Sequence, residues 1–117
     1  MRIFKFLLLF YISFNAFAQQ EPNLARYQST EEKLKVWLKY SNTLLDAEDY
    51  AKLLTAAEKG ISISKNHNAY LSRFYIQKGL AFEFSNNQYQ KALVNYEESL
   101  KYALKDLNDR FIGIIKI

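Results

Sequence analysis

The most regular pattern of apolar and polar positions in the chain runs from Tyr89 to Leu107. Tyr89, Ala92, Leu93, Tyr96, Leu100, Ala103, Leu104 and Leu107 recur at helical spacing, the stripe of an amphipathic helix about five turns long. Ala92 and Ser99 lie on or beside this stripe and are small enough for a second backbone to approach. A helix of this kind needs a partner, and the pattern places one just upstream. Leu34, Trp37, Leu38, Ser41, Leu44 and Leu45 form a first helical stripe, preceded by Ser29-Thr30-Glu31-Glu32, a capping box. Asp46 to Asp49 reads as a turn, with Asp46 as the N-cap of the second helix. Tyr50, Leu53, Leu54, Ala57, Gly60 and Ile61 mark that second helix, which ends near Lys65. A third begins at about Ala69 and carries Leu71, Tyr75, Gly79 and Phe82, with Phe74 and Ile76 beside them. Asn66-His67-Asn68 and Ser85-Asn86-Asn87 are the polar breaks, and Asn87 is expected to cap the fourth helix. No stretch alternates as a strand does, so the expected class is all-α.

The two halves repeat one another. Asp49-Tyr50-Ala51-Lys52-Leu53-Leu54 aligns with Gln88-Tyr89-Gln90-Lys91-Ala92-Leu93, Gly60-Ile61 with Ser99-Leu100, and Trp37 with Tyr75. A long-period repeat holding one helix-loop-helix per copy is the signature of a solenoid, in which each hairpin covers its neighbour's apolar side.

The N-terminus is of another kind. Arg2 and Lys5 precede an apolar run from Phe6 to Phe14, and Ala16-Phe17-Ala18 supplies small residues at cleavage spacing. Residues 1–18 therefore read as a secretory signal peptide, with an uncleaved membrane anchor as the alternative. Residues 19–28, with the only proline, read as a flexible leader. Taking Arg2 and Lys5 from the 16 basic residues leaves 14 against 12 acidic ones, so most of the positive charge is balanced. With no basic patch interleaved with aromatics, nucleic acid is not an expected partner. There is no cysteine, so the domain must hold by packing alone.

Candidate chemistry is sparse. His67, the one histidine, sits between two asparagines with no metal-ligand spacing around it. Glu31-Glu32 and Glu97-Glu98 are adjacent carboxylates that point apart on a helix and do not converge on a substrate. Glu97 and Lys101 stand four apart in the favourable order for an ion pair. The glycines are isolated, and Gly60 and Gly79 fall where helices are expected to cross. No enzyme, cofactor or metal site is expected.

The first copy, with Trp37, Tyr40-Ser41, Leu44, Asp49-Tyr50, Leu53, Ala57 and Gly60, resembles a tetratricopeptide repeat. So does the second, with Tyr75, Lys78-Gly79, Phe82, Tyr89, Ala92, Tyr96 and Ser99. Leu53 and Lys78 depart from the family pattern, and the unit is longer than the usual 34 residues. The resemblance implies a right-handed α-solenoid of antiparallel helix hairpins, about two and a half repeats long. Two hairpins would fill residues 29–107, and 108–117 would begin the first helix of a third. It also implies that Trp37, Tyr40, Tyr50, Ala57, Tyr75, Gly79, Phe82, Tyr89, Ala92 and Tyr96 pack the hairpins. Lys35, Asn42, Asp46, Arg73, Leu80 and Glu83 would then project onto a concave, peptide-binding face, with ordinary solvated surface as the alternative.

Repeats of this style behind a signal peptide resemble the exported sensory arrays that precede a transmembrane helix and a histidine kinase or DNA-binding domain in bacterial regulators. The expected function is therefore non-catalytic protein or peptide binding in the periplasm, with membrane association only through the leader or a downstream span. The alternative is a free-standing exported adaptor that self-associates through its open end.

Overall fold

A computed structural model describes residues 20–115; the signal peptide read at 1–18 lies outside them. Within them the protein is all-α and built from antiparallel helix hairpins, as the periodicity predicts. A 3-10 turn at Leu24–Arg26 leads into four helices: α1 (Thr30–Asp46), α2 (Tyr50–Ile63), α3 (Asn68–Asn86) and α4 (Tyr89–Ile115). α3 is central and packs against α4, α2 and α1, while α1 pairs with α2. The leader is not featureless: Leu24 in the 3-10 turn packs against the core.

The helix boundaries arise from local hydrogen bonding. Ser29 Oγ accepts from the Glu32 amide at 3.1 Å and starts α1, with Glu31 and Glu32 in the favourable first turn. At the other end Glu48 adopts a left-handed conformation (φ 57°). The Glu48 amide then bonds to the Leu45 carbonyl and the Asp49 amide to the Leu44 carbonyl, both at 3.0 Å. This pair of bonds is a Schellman closure. It shifts the cap of α2 to Asp49, whose carboxylate accepts from the Lys52 amide at 3.3 Å. Asp46, expected as that cap, is instead the last residue of α1. Asn87 is corrected in the same way. It takes a left-handed conformation (φ 52°) that closes α3 rather than capping α4, a conformation asparagine tolerates better than most side chains.

The core lies among α1, α2 and α3. Leu34, Trp37, Leu38, Leu44, Leu53, Ala56, Phe74 and Ala81 form one buried cluster, flanked by Tyr40, Leu45, Tyr50, Leu54 and Ile61. Trp37 donates its indole Nε1–H to the Ala56 carbonyl at 2.8 Å. Gly60 lets α2 and α3 meet: a Cβ there would sit 2.5 Å from the Phe74 ring. Gly79 does the same for α3 and α4 beneath the ring of Tyr96. α3 is thus buried on two sides, and so its apolar residues never resolve into a single stripe.

α4 overturns two expectations. Residues 108–115 do not begin a separate helix; they continue α4 to Ile115 without a break. And the stripe read as its packing face is mostly solvent-facing, with Tyr89, Leu93, Leu100, Leu104 and Leu107 between 50 and 62% exposed. The face that meets α3 is small and polar instead: Ala92, Asn95 and Ser99 are buried on it, with Tyr96 and Tyr102 half-buried. Ser72 and Ser99 bond hydroxyl to hydroxyl at 3.0 Å, and Ser99 also donates to the Ser72 carbonyl at 2.8 Å. Tyr75 stacks on Tyr102 with centroids 5.6 Å apart. The reason is distance: with Gly79, Ala92 and Ser99 in the seam the helices approach closely, and leucines there would hold them apart.

The Tyr96 hydroxyl donates to Glu83 at 2.7 Å. Its pKa lies above that of an ordinary phenol, through burial first, then through this hydrogen bond and the Glu83 charge. Tyr40 and Tyr75 are raised as well, again chiefly by burial. A folded-state pKa raised above that of the unfolded chain, about 10 for tyrosine, stabilises the fold fully below that value. The contribution is lost as pH rises towards the folded-state value. Melting temperature is therefore expected to fall above about pH 10, and Tyr96→Phe to flatten the decline. Identical alkaline profiles for the variant and the parent would refute the assignment to Tyr96.

Candidate binding cleft

Of the six residues expected on a concave face, the structure brings three together. Asn42 on α1 and Arg73 and Leu80 on α3 line a cleft of about 260 Å³, with Leu38, Leu45, Ile76 and Gln77. Two helices running side by side position them. The turn-by-turn succession Leu38, Asn42, Leu45 forms one wall, and Arg73, Ile76, Gln77, Leu80 the other. Lys35 and Asp46 are exposed on α1 but do not line the cleft. Glu83 is turned towards α4, where it accepts from Tyr96.

Gln77 escaped the sequence reading. It is only 4% exposed, and its Nε2 donates to Asn42 Oδ1 at 2.7 Å. Its Oε1 is buried with no hydrogen-bond partner in the protein. A buried acceptor of this kind costs about 1–3 kcal/mol until something donates to it. The cleft thus combines apolar walls from Leu38, Leu45, Ile76 and Leu80, a cationic rim at Arg73, and the Asn42–Gln77 amide pair. Periodicity could not single out Gln77, because a polar residue on a helix reads as solvated until its neighbours are known.

Most of the residues expected to pack the hairpins do so. Trp37, Ala57 and Ala92 are buried. Tyr40 tilts against Trp37 with centroids 5.0 Å apart, and Tyr50 stacks on Phe84 at 5.9 Å. Tyr75, Gly79 and Tyr96 lie in the seam between α3 and α4, and Phe82 is half-buried under the Lys91 ammonium. Tyr89 does not pack; it is 62% exposed. The ion pair expected between Glu97 and Lys101 is replaced by one between Glu98 and Lys101, at 3.8 Å.

A larger cleft of about 520 Å³ lies between α1 and α2 and is lined by Trp37, Tyr40, Lys59 and Glu21. Lys59 sits 4.5 Å over the Trp37 ring and 3.7 Å from Glu21, so this cleft is already bridged by the chain's own leader. Among the described residues, no group of three His, Cys, Asp or Glu is placed to hold a metal, and no helix is long and apolar enough to cross a membrane. Comparison with protein-family models, curated proteins and solved structures finds no match.

Proposed function

We propose that this chain is a non-catalytic protein-binding module, a right-handed solenoid of tetratricopeptide-like hairpins that takes an extended peptide in the cleft between α1 and α3. The observation that carries this reading is the make-up of that cleft: apolar walls from Leu38, Leu45, Ile76 and Leu80, with the cationic Arg73 and the hydrogen-bonded amides of Asn42 and Gln77 between them. A peptide's apolar side chains cover Leu38, Leu45, Ile76 and Leu80, its backbone meets the amides of Asn42 and Gln77, and an acidic residue meets Arg73. No cofactor enters this reading. The leader supports an exported, periplasm-facing protein, and the repeat pattern supports a sensory role ahead of a signalling domain.

Selection from a displayed random-peptide library is expected to enrich sequences with an acidic residue next to apolar ones. Arg73→Glu is expected to weaken those peptides at least about tenfold, equivalent to about 1.4 kcal/mol. Gln77→Leu separates binding from folding. It removes the unpaired acceptor, and the exposed Asn42 turns to water, so stability is held or raised while affinity falls. No enriched peptide, or enriched peptides that bind both variants as well as the parent, would sink the proposal.

A further inference from the structure

Among the described residues, a long apolar surface lies outside the cleft. On α4, Leu93, Leu100, Leu104, Leu107 and Phe111 are each 50% or more exposed along one side of the helix, roughly a third of a turn from the face that meets α3. Together they present on the order of 500 Å² of apolar side chain, near the upper end of what monomeric proteins leave contiguous. Two such faces brought together remove about 1,000 Å² from water, the area at which specific pairing begins.

The spacing says what fits. Leu100, Leu104, Leu107 and Phe111 are separated by four, three and four residues. That is the alternation of a coiled-coil seam, which calls for another helix along its length rather than for a loop or an extended strand. The interval also reads the same in both directions, so a second copy turned end for end matches it rung for rung: Leu104 meets the partner's Leu107, and Leu100 meets the partner's Phe111. Such a face is self-complementary, as a two-fold interface requires. Charge selects the direction. Glu97 holds the seam position before Leu100. In a parallel pair it would face its own copy, whereas in an antiparallel pair it moves away from its own copy to the far end of the seam, about one turn from the partner's Arg110, which on its own helix bonds Asp106 at 3.1 Å.

We propose that α4 is a homodimerisation helix that pairs antiparallel with the same helix of a second copy. Sedimentation of the full chain is expected to show a monomer–dimer equilibrium in the micromolar range. Leu104→Glu combined with Leu107→Glu should raise the dissociation constant at least about 100-fold while leaving the helical circular-dichroism signal intact, because both positions already face solvent. The absence of native cysteine makes geometry directly readable. A mixture of Leu104→Cys chains with Leu107→Cys chains should cross-link on oxidation, and neither should do so alone. A strictly monomeric chain, a dimer indifferent to the two glutamates, or cross-linking of Leu104→Cys to itself would each overturn the proposal. The first outcome would leave the face to a helix of another protein, and the last would mean a parallel pair. Peptide binding measured on the Leu104→Glu, Leu107→Glu monomer keeps this test separate from that of the cleft.

Discussion

Trp37→Ala is expected to lower stability by about 3–5 kcal/mol, the range for removing a large aromatic from a packed core. Trp37 is 1% exposed at the meeting of α1 and α2, with Tyr40 against its ring and Lys59 above it. The loss therefore combines the transfer of a buried ring to water with a cavity that rigid helices cannot close. The hydrogen bond from Nε1 to the Ala56 carbonyl is a smaller part, about 1 kcal/mol. Trp37→Phe, which keeps most of the ring and loses that bond, should accordingly be much the milder change. For a domain of this size the alanine variant should melt roughly 10–30 °C lower. Since small domains hold only about 5–15 kcal/mol in total, partial unfolding at ambient temperature is also expected. Thermal melts followed by circular dichroism decide it; an unchanged midpoint would mean that Trp37 does not organise the core.

Adding a single methyl group at Gly60 should also destabilise, for the opposite reason. A Cβ at Gly60 would come within 2.6 Å of three carbons of the Phe74 ring, and that ring is fully buried with nowhere to retreat. Overpacking costs about 1–3 kcal/mol. Alanine is a better helix former than glycine by about 1 kcal/mol, so the net expectation for Gly60→Ala is a loss of up to about 2 kcal/mol. Gly79→Ala supplies the comparison. The ring it would strike belongs to Tyr96, which is only half-buried and can shift, so its cost should be smaller. Phe74→Leu should relieve part of the Gly60→Ala penalty, since residues in contact couple in a double-mutant cycle. A Gly60→Ala protein more stable than the parent would show that helix propensity, and not the crossing, governs this position.

These two residues were legible in the sequence for different reasons. Trp37 stood in a clear apolar stripe. Gly60 interrupted a helical pattern where only a close approach could justify a glycine. The start of α1 was legible too, because Ser29 and Glu32 carry their capping chemistry locally. The start of α2 was not. Both Asp46 and Asp49 have a carboxylate able to cap, and the choice between them is made by the left-handed turn at Glu48, which no side chain announces. Three of the seven cleft residues (Asn42, Arg73 and Leu80) were placed by the family pattern. Gln77 was missed because its burial is created by Asn42 and the neighbouring helix, not by its own neighbours in the chain.

What the amino-acid sequence determined by itself was therefore the local layer: four amphipathic or small-residue helices, where most of them break, and with them the all-α class. What only tertiary structure decided was orientation. Periodicity states which residues of α4 share a side, and it found the leucine stripe correctly. It cannot say which side meets α3, because that depends on how near two backbones can come. Gly79, Ala92 and Ser99 permit the closer approach, the Ser72–Ser99 hydroxyl pair is satisfied within it, and the leucines are turned outward as a consequence.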